Sequence, residues 1–299
     1  MSSTTTTYGK SSRLVGSLAA LGAVSIWGLT FVPTKIAMME MGALTLSVLR
    51  FALALLIMAA LAWRLYPNAH NLRNVSWGTL ALLGFTSVTL FFGFQNLGLA
   101  RTSATEAGML SASVPALTAV LAALVYKERV GGLRLIGIVA SVVGVVVVVL
   151  VGSGSESGGS LEGNLLVLAG TVSWAFYTLL NKDIGGKMPE VLLLAYTMLF
   201  GIIFLLPGMA VEIVLVGFGP ITPVGLLSVL FLGIMASGAS FFLWNTALRH
   251  LDASEASTYI NLVPVINIVA ANLMLGETLI PAQLFGGALV IFGVYLASR

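Results

Sequence analysis

Ten stretches of about twenty mostly apolar residues follow one another along this 299-residue chain and leave room for little else. They fall at 14–34, 44–63, 75–97, 103–125, 132–151, 163–183, 190–211, 223–247, 254–275 and 281–298. A helix of that length crosses the roughly 30 Å hydrocarbon core of a bilayer. Inside lipid every backbone N–H and C=O must find its partner within the protein, which leaves helices and closed barrels as the only spanning structures. The strict alternation of a barrel strand is absent, so the expected class is all-α and polytopic. Composition agrees: 58% of residues are hydrophobic, only 8% are charged, and mean hydropathy is +1.04. A soluble domain carries about 25% charged residues to cover its surface.

The net charge of +3 and pI near 9.3 do not describe a nucleic-acid surface, because the basic residues sit singly in short connections. Placed on a ten-span chain with a cytoplasmic N-terminus, they separate by side. Lys10, Arg13, Arg64, Arg73, Lys127, Arg129, Arg134, Lys182, Lys187, Arg249 and Arg299 fall on the cytoplasmic side, Lys35 and Arg101 opposite, and Arg50 inside the second span. That asymmetry is the positive-inside pattern. It predicts a multi-pass membrane protein with both termini cytoplasmic. Residues 1–13 are polar and expected to be a disordered tail, and the run after them reads as a retained first helix rather than a cleaved signal.

There is no cysteine, which excludes disulfides and thiolate sites. His70 and His250 both fall in predicted loops. No metal site and no cofactor is expected.

The chain repeats itself. A shift of 149 residues lays Gly84 on Gly233, Phe92 on Phe241, Asn96 on Asn245, Ala104 on Ala253, Glu106 on Glu255, Pro115 on Pro264, Glu128 on Glu277, Gly137 on Gly286 and Gly144 on Gly293. A shift of 147 pairs Trp27 with Trp174 and Lys35 with Lys182. The expected division is a first five-helix repeat at 14–151, a Gly/Ser-rich linker at 152–162 and a second repeat at 163–299. Five is odd, so the second half enters the membrane with the opposite orientation. Inverted repeats of this kind recur in secondary transporters, with the substrate site near the midplane.

The stretches TSATEAGMLSASVPALTAVLAALVYKERV (102–130) and DASEASTYINLVPVINIVAANLMLGETL (252–279) resemble the EamA repeat. Each has a small-residue and Glu start, a mid-helix Pro, a closing Glu and a following helix with spaced glycines. Two tandem copies cover about residues 14–298. The chain is thus similar to the drug/metabolite transporter superfamily, whose members move amino acids, other metabolites and toxic organic compounds. Within it the chain looks most like bacterial exporters of aromatic amino acids. What the resemblance implies is export, and the scarcity of Lys and Arg within the spans argues for a small neutral or zwitterionic metabolite.

Several residues are candidates for the mechanism. Glu106 and Glu255 are acids at the membrane, where such groups often mark proton relays. Ser103-x-x-Glu106 and Asp252-x-x-Glu255 also have capping-box spacing, in which the Glu reaches back to the N–H of the cap residue. Capping is the stronger reading and proton coupling the alternative. Glu128 and Glu277 read as interfacial. Pro115 and Pro264 each free the carbonyl four residues earlier, on Ser111 and Ile260, and are candidate hinges.

The first helix of each half carries a mixed small, hydroxyl and aromatic stripe. It reads Ala23, Trp27, Thr30 and Thr34, then Gly170, Trp174, Tyr177 and Asn181. Such stripes face protein or water rather than lipid. The third and eighth spans offer Phe91, Gln95, Asn96, Phe241, Trp244 and Asn245, and the ninth offers Tyr259 and Asn261. Trp27, Thr30, Phe91, Gln95, Asn96, Trp174, Tyr177, Phe241, Trp244, Asn245, Tyr259 and Asn261 together form the expected substrate-binding lining. The amides suit the ammonium and carboxylate of an amino acid, and the rings suit flat or cationic groups. Arg50 reads as structural, paired to a carbonyl or an acid on a neighbouring helix. Gly137, Ser141, Gly144, Gly286 and Gly293 have the spacing of close helix packing, between the halves or between protomers.

No phosphate-binding glycine loop and no paired-histidine metal motif is present, and no nucleophile–base arrangement appears, so no enzymatic activity is expected. The leading expectation is a secondary transporter working by alternating access, its partners a small-molecule substrate and membrane lipids. The alternatives are a membrane protein that binds or senses without transporting, and an intramembrane enzyme.

Overall fold

The computed structural model describes residues 10–66, 75–126, 131–152, 159–184, 187–217, 219–251, 259–278 and 280–297. The expectations for residues 1–9, Glu128, Glu255 and most of the 152–162 linker lie outside them, as does the side chain of Asn245. Among the described residues the chain is helical and no strand forms.

We number ten helical segments. α1 runs Lys10–Leu29 and resumes at Phe31–Ala37; α2 is Ala43–Leu65; α3 is Trp77–Leu99; α4 is Ala104–Ser111 followed by Val114–Tyr126; α5 is Gly132–Gly152. α6 is Leu161–Ile184, α7 Glu190–Val216, α8 the unbroken succession Pro223–Leu230, Phe231–Ala239 and Ser240–His250, α9 Leu262–Leu275 and α10 Pro281–Ala297. α1 begins at Lys10, so residues 10–13 belong to the helix and not to the expected tail. The first eight are long and apolar enough to cross a membrane, and α9 and α10 are shorter apolar helices.

Local chemistry sets the ends. Ser76, Ser103 and Thr222 sit at N-caps with extended backbone, and their hydroxyls accept the N–H of Thr79, Glu106 and Gly225. Pro223 opens α8, where its missing N–H costs nothing. Gly276 ends α9 at φ +67, a left-handed conformation that a side chain disfavours. α4 breaks at 112–113, just before Pro115, and α9 becomes regular only after Asn261, with Pro264 as its third residue. Proline lacks the N–H and crowds the carbonyl four residues back, which accounts for both breaks.

The packing pairs exchange under the repeat. α1 packs on α8 and α9 as α6 packs on α3 and α4, and α2 on α8 matches α7 on α3. α2–α7, α4–α9 and α5–α10 pair with their own counterparts. The α5–α10 contact is backbone to backbone. A Cβ on Gly137 would strike the Gly293 carbonyl, one on Gly293 the Ser141 amide, and one on Gly144 the Gly286 carbonyl. The small residues therefore join the two halves of one chain. Apolar clusters likewise draw on both halves: Phe31, Leu99 and Leu110 meet Val167 and Ala271, and Phe51 and Val88 meet Met198 and Leu205. Outward faces of α5 and α7 expose residues such as Ile136, Val143, Leu150, Ile203, Val211 and Leu215, as lipid-facing surfaces do.

α3 and α8 contain π-helical turns at Phe85–Phe92 and Phe231–Ala239. The 149-residue shift lays 85–90 on 234–239, so the two distortions occupy equivalent places. Such turns are uncommon and often mark functional sites. The Ser237 hydroxyl donates to the Leu232 carbonyl five residues earlier, at 3.1 Å, which is the π spacing.

Candidate functional site

Two aromatic groups form where the halves meet. In the first, on α1 and α8, the Trp27 ring lies 5.3 Å from Trp244 and 6.2 Å from Phe241, edge-on to the latter. Trp27 Nε1–H donates to Ser240 Oγ at 2.9 Å. Trp244 and Tyr259 both pack on an adjoining apolar cluster of Ala19, Ala20, Ala247 and Leu251. In the second, on α6 and α3, Trp174 lies 4.6 Å from Phe91, 4.9 Å from Tyr177 and 6.5 Å from Phe92, again edge-on to the last. Phe92 then meets Phe51 at 4.6 Å. The repeat relates the two: Phe241 corresponds to Phe92, and Trp27 to Trp174. Edge-to-face rings at these separations attract through their quadrupoles beyond simple area burial.

Arg50 joins the groups. Its guanidinium carbon lies 4.7 Å from the centre of the Phe92 ring and 5.2 Å from that of Phe51. Nη2–H donates to Ser237 Oγ at 3.3 Å. Ser237 and Ser240 stand about one turn apart on α8, so Arg50 and Trp27 hold neighbouring hydroxyls. Arg50 is 4% exposed, and its Nε is buried with no partner. The expectation that Arg50 pairs with a carbonyl or an acid is corrected: its partners are a hydroxyl and two ring faces.

The amides divide. Asn96 is buried and donates to Ser47 Oγ at 2.8 Å, tying α3 to α2. Its amide nitrogen is engaged by α2 and not by the rings. Gln95 is buried with Oε1 unpartnered. Thr30 turns its hydroxyl back to the Trp27 carbonyl at 2.7 Å, at the break in α1. Asn261 occupies the turn before α9 and makes no capping bond. Of the hinge candidates, Pro115 faces outward and Pro264 is buried, so equivalent positions have different surroundings.

Ser103 caps α4 by accepting the Glu106 N–H at 3.0 Å. The Glu106 carboxylate does not return to the cap's N–H, and the capping-box reading of it is corrected. Glu106 is fully buried: Oε1 accepts from Gln283 Nε2 at 2.7 Å, Oε2 accepts from Asn164 Nδ2 at 2.9 Å, and Thr102 Oγ1 lies 2.7 Å from Oε2. It thereby ties α4 to α6 and α10. The amide capping at this helix also comes from Glu277, whose oxygens accept the N–H of Ala104 and Thr105 at 2.8 and 2.9 Å. Lys35 Nζ lies 3.0 Å from Glu277. Burial alone would raise the Glu277 pKa, but the Thr105 and Ala104 amides and Lys35 outweigh it and hold the carboxyl below its ordinary range. Glu277 stands just past the C-terminal end of α9, the helix end at which it was expected, with its side chain 9% exposed.

Similar ties recur at the same end of the bundle. Glu212 of α7 accepts the amides of Leu44 and Thr45 at the start of α2. Glu40 accepts the Thr222 amide at the start of α8. Arg101 Nε lies 3.1 Å from Glu162. Sequence gave no sign of these partners, which stand far apart along the chain.

The EamA-like transporter family matches residues 14–150 and again 161–299. An uncharacterized transporter of Archaeoglobus fulgidus is 31% identical over 280 residues, covering 91% of this chain and 93% of its own. A probable amino-acid metabolite efflux pump of Salmonella typhimurium is 29% identical over 296 residues, covering 95% of each. A crystal structure with 18% sequence identity superposes with a TM-score of 0.62 over 96% of both chains, which shows a shared fold.

Proposed function

The chain belongs to the EamA-like transporter family, and from that premise we propose that this multi-pass membrane transporter exports small neutral or zwitterionic metabolites. Amino acids and related aromatic compounds are its leading substrates, and alternating access its mechanism. The observation that carries this reading is the pair of repeat-related aromatic groups, Trp27 with Phe241 and Trp244, and Trp174 with Phe91 and Phe92, built from helices of opposite halves. Rings on elements that must move apart form a substrate surface when the bundle opens. The substrate named for the Salmonella relative points the same way.

The ten segments act as ten spans in two five-helix repeats of opposite orientation, in a bacterial inner membrane with both termini cytoplasmic. Exchange of packing pairs supports this, since α1–α8 becomes α6–α3 under the repeat. In that orientation the ties of Glu40, Glu106, Glu212 and Glu277 all lie at the outer end. They close that end, and export requires them to part. Trp27, Trp174, Phe91, Tyr177, Phe241, Trp244 and Tyr259 line the path, with Gln95 as its free amide. Pro115 and Pro264 are its hinges.

The test is uptake of labelled phenylalanine, tryptophan and other amino acids into liposomes holding the purified protein, with and without a pH gradient. Saturable uptake suppressed by unlabelled aromatic amino acids is expected. Uptake no greater than in protein-free liposomes, with the protein folded, overturns the reading.

A further inference from the structure

Arg50 is the one Lys or Arg that lies away from the ends of the apolar spans. It stands seven residues into α2, about 10 Å from the start of that helix at 1.5 Å per residue. A charge at such a depth is costly unless paired. Among the described residues no carboxylate pairs with it. Its hydrogen bonding amounts to a 3.3 Å contact with the Ser237 hydroxyl, and its Nε is buried and unpartnered. The Phe92 and Phe51 rings attract the cation without cancelling its charge. The structure thus holds a buried guanidinium, with no carboxylate partner among the described residues, beside the second aromatic group and one hydroxyl away from the first.

We propose that Arg50 is the anchor for the substrate's carboxylate. A guanidinium presents donors in a fork that matches two carboxylate oxygens. The unpartnered Nε and its neighbouring Nη form one edge of that fork. A carboxylate there would satisfy the buried donor and neutralise the charge, while the apolar part of the substrate lies against Trp174 and Phe91 or across Ser240 on Trp27. The π turn of α8 carries Ser237 to the guanidinium, so substrate capture is coupled to a helix whose geometry is already irregular. The second half has no matching cation in α7, and the substrate therefore binds in one polarity. This assignment rests on the transport reading and names the chemistry that the site selects: a free carboxylate on a small, largely apolar body.

Three compounds separate the possibilities: phenylalanine, its carboxamide and phenethylamine. They share ring and ammonium and differ at the carboxylate. Each is used as competitor of labelled phenylalanine uptake in liposomes and as ligand in thermal unfolding of the detergent-solubilised protein. With the natural protein, phenylalanine should compete and stabilise at least tenfold more strongly than the other two. Arg50→Gln should abolish that preference, and Arg50→Lys, which keeps charge but not the fork, should retain part of it. Gel filtration reports whether the variants fold; if Arg50→Gln does not, the acid-against-amide comparison on the natural protein decides alone. Equal response to acid and amide, or a preference that survives Arg50→Gln, overturns the assignment while leaving transport intact. Displacement of phenylalanine by equimolar chloride or inorganic phosphate also overturns it, since the site would then hold anions at large. Absence of uptake and of stabilisation by every amino acid overturns the transport reading and this assignment with it.

Discussion

Lys35 and Glu277 meet at 3.0 Å across 242 positions of sequence, and the same carboxylate closes the N-terminus of α4 through the amides of Ala104 and Thr105. One side chain thereby fastens the end of α1, the start of α4 and the turn between α9 and α10. It is 9% exposed, so water does little to replace these partners when it is lost.

Glu277→Ala should therefore cost roughly 1–3 kcal/mol, the range for leaving buried donors without an acceptor. Thermal unfolding in detergent measures it. Lys35→Met in the same background should add less than it costs alone, because the pair is already broken. Full additivity would show that the two residues act separately.

Acidity gives a second handle on this pair. The folded-state pKa of Glu277 lies below the ordinary 4.5, with burial opposing and the Thr105 and Ala104 amides and Lys35 prevailing. The contribution is thus complete above pH 4.5 and is lost as pH falls from there through the lowered folded value. The difference in melting temperature between the natural protein and Glu277→Gln should be constant from pH 7 to about pH 5 and narrow only below that. A difference that disappears between pH 7 and pH 6 would contradict the assigned direction.

Glu106 separates structure from coupling. Its three partners, Thr102, Asn164 and Gln283, point hydroxyl and amide groups at a carboxylate that lies wholly buried. Glu106→Gln places an amide against the Gln283 or Asn164 donors and should destabilise by about 1–3 kcal/mol. If the residue only ties helices, the dependence of uptake on a pH gradient stays as in the natural protein. Loss of that dependence, with exchange of labelled for unlabelled substrate preserved, would assign it the proton.

Gly137, Gly144 and Gly293 of the α5–α10 seam leave no room for a side chain of their own. A Cβ on Gly293 meets the backbone of Ser141 and Gly137, whereas one on Gly132 meets nothing within 4 Å. Gly293→Val should destabilise by roughly 1–3 kcal/mol or prevent folding. Gly132→Ala should be close to neutral. Comparable melting temperatures for the two would show that the seam is looser than described.

Trp27→Phe keeps a ring and removes the N–H that Ser240 receives. Loss of one such bond is worth about 1 kcal/mol, and a KM change of a few fold for aromatic substrates is expected. Trp27→Ala and Trp174→Ala remove the faces themselves and should raise KM about tenfold or more, since tenfold corresponds to about 1.4 kcal/mol. Unchanged kinetics in both alanine variants would remove the rings from the path.

Much of this molecule is legible in its residues. Apolar runs of span length dictate helices because lipid offers the backbone no other partner. The 149-residue register dictates two related halves, and the spacing of Gly137, Gly144, Gly286 and Gly293 dictates close helix contacts. Trp27 and Trp174 stand out because indoles in mid-span stripes of small residues do not suit lipid. All of these are local or periodic signals, carried by neighbouring positions.

What the sequence could not determine is which distant groups meet. Arg50 reads as a paired residue until the tertiary structure sets it against Phe92, Phe51 and Ser237. Glu106 has the spacing of a reciprocal cap, yet Asn164 and Gln283, brought in from α6 and α10, claim its oxygens. Glu277 lies 173 positions from the amide it caps. The reason is physical: a carboxylate or guanidinium in a dry interior takes the partner that packing places within about 3 Å, and spacing along one helix carries no information about the surface of another. Sequence alone determined the helices, the repeat and the aromatic stripes; only the packed bundle decided which charges they enclose and which of them stays unpaired.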